Sequence, residues 1–169
     1  PPRISIKDNA AGIPLEDFPR AFRPATLPPD RSGLAEFGMG MKSAACWFAP
    51  RWTVRTSALG DPAVRTIRFD IENIVTDDIR ELDIVEERAD AEDHFTEVVL
   101  EDVFHVPVGR TIAKIKDHLT DIYRVFVRDG LLDLRFRGES LVYEPPAILN
   151  HPYFKTPADP SLEWRKDIA

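Results

Sequence analysis

The chain has 169 residues, enough for one domain with a sizeable core. Its 43% apolar share is ordinary for a globular protein, and a net charge of -7 gives no bulk electrostatic reason to bind nucleic acid. A single cysteine, Cys46, excludes an internal disulfide, and no apolar run is long enough to span a bilayer. Acidic residues crowd Asp77 to Asp102, and basic ones Arg110 to Arg137. The basic run reads as a solvated face, with a basic patch as the alternative.

In chain order, Arg3 to Lys7 alternates, with Ile4 and Ile6 on one face, and predicts a strand. Asp8 to Gly12 is a turn. Leu15, Phe18 and Phe22 recur at helical spacing behind Pro14, which predicts a short helix over Pro14 to Phe22. Arg23 to Gly33, with three prolines, is a long loop. Gly40 to Phe48 predicts a helix that Pro50 ends. Cys46 lies in its apolar run Ala44-Ala45-Cys46-Trp47-Phe48 and reads as a small core residue. Trp47, Phe48 and Trp52 read as core or a packing edge.

Arg51 to Ser57 and Ala63 to Ile71 predict a hairpin about the Gly60-Asp61-Pro62 turn. Ile79 to Glu87 is apolar at an ambiguous period, Ala89 to His94 a polar turn, and Thr96 to Val103 a β-branched strand. Ile112, Ile115, Leu119, Ile122 and Phe126 stripe one face of a helix over Thr111 to Val127, which Gly130 stops. Leu132 to Arg137 and Leu141 to Tyr143 predict a hairpin across Gly138-Glu139. From Pro145 the chain is proline-rich. The expected class is α+β, a two-layer sandwich with a mostly antiparallel sheet and helices on one face.

Two glycine-bearing segments carry the chemistry. In Asp8-Asn9-Ala10-Ala11-Gly12, an acidic residue ends a strand, where desolvation calls for a donor partner such as an adenine amino group. A turn-shaping or capping role for Asp8 reads equally well. In Phe37-Gly38-Met39-Gly40-Met41-Lys42-Ser43, two glycines precede a helix. Backbone amides there approach phosphate oxygens without a Cβ, the helix start favours anions, and Lys42 adds positive charge. The spacing matches neither the Walker loop nor the dinucleotide fingerprint.

Phe37-Gly38-x-Gly40-x-Lys42-Ser43 behind Asp8-x-x-x-Gly12-Ile13 resembles the GHKL nucleotide-binding fold of gyrase, MutL, heat-shock chaperones, histidine kinases and MORC ATPases. It looks most like the MORC ATPases, with Ala10 in place of the family's first glycine. His94-Phe95-Thr96-Glu97-Val98 is similar to the family's later strand, whose Thr helps hold adenine, directly or through water. As a plain strand residue, Thr96 reads just as well. The resemblance implies ATP as ligand and Asp8, Gly12, Gly38, Gly40, Lys42, Ser43 and Thr96 as nucleotide-binding residues. It implies a GHKL-type domain over 1–144 and a proline-rich extension over 145–169. The family's catalytic Glu and Mg2+-holding Asn lie on a helix upstream of the Asp motif. Only seven residues precede Asp8, so the chain reads as a fragment, with base and Mg2+ ligand on an upstream segment. No catalytic or metal residue is assigned here.

The resemblance further implies ATP-driven closure of a lid, here Arg23 to Gly33, and a homodimer. DNA, defence or remodelling partners would act through other domains. A cytoplasmic location is expected. Arg20, Arg23 and Arg31 read as solvated loop charges or as phosphate ligands on lid closure. Met39 and Met41 read as pocket lining or core. His94, His105, His118 and His151 lack zinc-site spacing. Two other readings stay open. Gly12 to Pro24 is similar to the stretch between the histidine kinases' glycine boxes, and the chain could bind nucleotide without turnover.

Overall fold

The computed structural model describes residues 1–23, 39–145 and 154–158. Two compact units divide the chain, Pro1–Val106 and Pro107–Ala169, and each is described by itself.

The first unit is built on a five-stranded antiparallel sheet. Its strands are β1 (Arg3–Asp8), β2 (Arg51–Ser57), β3 (Ala63–Asp70), β4 (Ile84–Arg88) and β5 (Phe95–Glu101), in spatial order β1-β5-β2-β3-β4. Helices α1 (Phe18–Phe22), α2 (Gly40–Phe48) and α3 (Ile71–Thr76) complete it, with a 3-10 turn at Leu15–Asp17 before α1. The mixed class and antiparallel sheet agree with expectation, and α2 and β2 have the expected bounds. The Pro14 to Phe22 helix is present as the 3-10 turn running into α1.

Register explains the core. Ile4, Leu100, Trp52 and Phe69 lie opposite one another across four strands, and Ile6, Val98, Val54, Ile67 and Ile84 form the next row across all five. Period-2 alternation turns both rows to one face. Ala45 of α2 and Ala49, which caps its end, pack there with Trp52, Val54, Leu100 and Val103, joined by Ile4, Phe22, Met41, Phe69, Ile71 and Val98. Small residues at 45 and 49 bring the helix backbone close to the sheet. The Trp52 ring stacks on Phe69, centroids 3.7 Å apart. The two rings are near-parallel, 4° apart, and bury their faces against each other.

Several expectations are corrected. Cys46 is exposed, Trp47 is 81% exposed and Phe48 is half-exposed, because α2 turns Ala45 inward instead. The strand from Ala63 stops at Asp70, whose side chain accepts the Asn73 N–H at 3.2 Å and caps α3. Ile71 therefore opens a helix rather than closing a strand. The ambiguous Ile79 to Glu87 stretch is strand only from Ile84.

In the second unit the single expected helix is two, α4 (Arg110–Ile122) and α5 (Arg124–Arg128), parted at Tyr123. Ile112, Ile115 and Leu119 are half-buried, whereas Ile122 and Phe126 lie exposed beside the break. Leu131 N–H reaches Phe126 O at 2.9 Å past Gly130 (φ +70°), the closing geometry of a glycine stop. The hairpin of β6 (Arg135–Phe136) and β7 (Glu139–Ser140) turns on Arg137-Gly138, one residue earlier than expected. Both turn residues have positive φ, as a two-residue type I′ turn requires.

Candidate functional site

A third row follows the two apolar ones on the same sheet face, and it is polar. Asp8, Thr96, Thr56, Arg65 and Glu86 lie opposite one another across all five strands. Each of β1, β5 and β2 thus carries two apolar residues and then a polar one: Ile4-Ile6-Asp8, Leu100-Val98-Thr96 and Trp52-Val54-Thr56. The α2-covered core ends where this row begins.

Asp8 is exposed and ends β1 beside Thr96 of β5. Its Oδ1 accepts the Ala10 N–H at 3.0 Å, an Asx turn that starts the following loop. That loop is sewn to the sheet. Ala11 O accepts the Leu59 N–H at 2.9 Å, His94 Nδ1 meets Ala10 O at 2.9 Å, and Ile13 N–H donates to Thr56 Oγ1 at 3.0 Å. Gly12 has φ +74°, and a Cβ there would lie 1.9 Å from the Ser57 carbonyl oxygen. The fold alone demands glycine at this position.

Thr56, missed in the sequence reading, is the hub. Its side chain is buried, with Oγ1 2.9 Å from Phe95 O and 3.2 Å from Thr96 Oγ1. A buried strand threonine reads as β-branched filler. The signal that finds it is the repeated apolar-apolar-polar ending of three neighbouring strands.

The glycine-rich segment enters the described residues at Met39. Gly38 and the loop from Pro24 to Gly33, the expected lid, lie outside them, as does Arg31. Gly40 opens α2, and a Cβ there would meet nothing within 4 Å among the described residues. Ser43, exposed, donates its N–H to Met39 O at 2.9 Å in the first turn. Lys42 Nζ donates to Ala21 O at 2.9 Å and to Arg23 O at 2.6 Å. It clasps the end of α1, and burial lowers its pKa. Arg20 pairs with Asp17 at 2.9 Å. Met41 packs on the core.

Among the described residues no group of three or more His, Cys, Asp or Glu could hold a metal ion, and no step is assigned to Mg2+. No helix among them is long and apolar enough to cross a membrane. A groove of about 290 Å³ between Arg51, Arg68, Asp70, Ile74, Ile79 and Leu82 lies at the other end of the strands from Asp8, away from the polar row.

The model of the histidine kinase-, DNA gyrase B- and HSP90-like ATPase family matches residues 1–99. The chain belongs to that family. The match spans the sheet, the polar row and the start of α2, and the family is one of ATP-binding domains. A search of curated proteins found no match.

Proposed function

We propose that this GHKL domain binds ATP with its adenine edge at Asp8 and Thr96. The observation that carries the reading is the direct pairing of Asp8 with Thr96, a carboxylate and a hydroxyl side by side on adjacent strands at the end of the apolar rows. Both can accept from an exocyclic amino group. Gly12 holds the loop between them and the end of β2. The triphosphate is assigned to the opening of α2, at Gly40, Lys42 and Ser43 with Gly38. The space beside Gly40, open among the described residues, and the positive end of the helix dipole there support this. Two of the Lys42 ammonium protons are held by carbonyls, and the third is available to a phosphate oxygen.

The bound nucleotide would supply a phosphoanhydride whose turnover resets a conformational cycle. By resemblance to the MORC ATPases we assign lid closure over Arg23 to Gly33 and dimerisation to that cycle, with output on DNA, in defence or in remodelling left to other domains. Calorimetry with ATP tests the first part. Micromolar binding that Asp8→Asn abolishes supports it, and no binding by folded protein overturns it. Light scattering with a non-hydrolysable ATP analogue tests the second, for which a doubled mass is expected.

A histidine-kinase reading stands beside this one, because the matched family spans both. Incubation of the protein with labelled ATP separates them. Released phosphate marks an ATPase, an acid-labile phosphoprotein marks a kinase, and binding with neither marks a non-hydrolysing module.

A further inference from the structure

We infer that Thr56 fixes the direction of the Thr96 hydroxyl, so that Thr96 offers the ligand only acceptor lone pairs and the site selects a 6-amino over a 6-oxo purine. This deepens the adenine reading above and rests on it.

The argument is one of proton placement. A threonine hydroxyl has one proton and two lone pairs. Thr56 Oγ1 has three partners: the Ile13 N–H at 3.0 Å, the Phe95 carbonyl at 2.9 Å and Thr96 Oγ1 at 3.2 Å. The amide can only donate and the carbonyl can only accept. Were the Thr56 proton turned to Thr96, two oxygens would face each other at 2.9 Å with no hydrogen between them, in a buried setting where that repulsion is unscreened. The proton therefore lies on the Phe95 side. One lone pair takes the Ile13 N–H, and the other is left for Thr96. Thr96 must donate to it, for the same reason. Every hydrogen-bonding position of Thr56 is then filled.

The consequence falls on Thr96, which is half-buried and faces Asp8 across the β1–β5 pair. With its proton committed to Thr56, it has lone pairs only for a ligand. Asp8 Oδ1 already takes the Ala10 N–H, and a carboxylate offers acceptors alone. Two adjacent acceptors match an exocyclic amino group and repel a carbonyl oxygen. Thr56 touches no ligand in this arrangement. It is a positioning residue that acts through Thr96.

The test is calorimetric titration of the full chain with ATP and with inosine triphosphate, which carries an oxo oxygen in place of the 6-amino group. Wild type should prefer ATP. In Thr56→Val the freed Thr96 proton can turn to the oxo oxygen, and the preference should shrink by about tenfold, through tighter inosine triphosphate binding as well as weaker ATP binding. Thr56→Ser should restore it, which a purely structural role would not predict. A folded Thr56→Val protein with an unchanged ratio overturns the inference, even if both affinities fall. Should Thr56→Val not fold, Thr96→Val decides, because removing the hydroxyl must shrink the same ratio and an unchanged ratio overturns the inference. Wild type that binds both nucleotides equally overturns the inference alone. Wild type that binds neither overturns the nucleotide reading and this inference with it.

Discussion

Gly12 lies so close to Ser57 that a methyl group at position 12 would sit 1.9 Å from the Ser57 carbonyl oxygen. The atoms it would meet are backbone, at the end of the central strand β2, and cannot swing aside. The positive φ adds a second penalty for any side chain. Gly12→Ala is expected to cost about 3–4 kcal/mol in urea unfolding, the sum of overpacking and a left-handed backbone. A loss below about 1 kcal/mol would show that the loop can lift away from β2.

Asp8→Asn should leave the fold intact, because the amide oxygen can still accept the Ala10 N–H. Its other atom becomes a donor facing the ligand. ATP affinity should drop at least about tenfold, the cost of replacing an acceptor with a mismatched donor. Unchanged affinity in a folded variant would remove Asp8 from the adenine site.

Lys42 carries two separable expectations. Lys42→Ala should weaken ATP binding more than adenosine binding, and equal losses would make the residue a clasp for α1 alone. The second expectation concerns pH. Burial lowers the folded-state pKa below the unfolded one. Below both pKa values both states hold the proton, so the cost of burying the charge is fully present. Between the two pKa values the unfolded chain keeps a proton that the folded chain has released, so this group makes stability rise with pH across that alkaline window. Lys42→Met should flatten that part of the profile in urea titrations, and an unaltered slope would count against it.

The end of α2 and its C-cap residue Ala49 offer a contrast between neighbouring positions. Ala49→Leu forces side-chain volume into the buried seam with β2 and should cost about 1–3 kcal/mol or more. Trp47→Ala, on the exposed side, should change stability by less than about 0.5 kcal/mol despite removing a far larger group. A reversal of that order in thermal or urea unfolding would mean the helix is rotated from the orientation described.

These cases show which features the sequence carried. Helix α2 and strand β2 were readable to the residue because Pro50 separates them and β2 alternates cleanly. The facing of α2 was not, since Ala44 to Phe48 is apolar on every side and period alone picks no inner face. Helix α3 was hidden because Asp70 serves as strand end and helix cap at once. Asp8, Gly12 and Thr96 were legible as motif positions. Thr56 was not, because its importance comes from register: only the pairing of β2 with β5 brings it under Thr96. The Lys42 clasp on Ala21 and Arg23 likewise depends on a fold-level approach of two helices.

Strand β1 is paired on one side only, with β5, among the described residues. Asp8 therefore hangs on an edge strand of the sheet, and local opening of such an edge takes less free energy than global unfolding. If Asp8 holds adenine as proposed, it is lost to that site while β1 is detached, although the rest of the sheet persists. Ligand affinity is then reduced by the fraction of time β1 is docked. Exchange of the β1 amides that bond to β5 reads that fraction, and a saturating nucleotide should slow it, so this edge strand becomes a built-in gauge of occupancy.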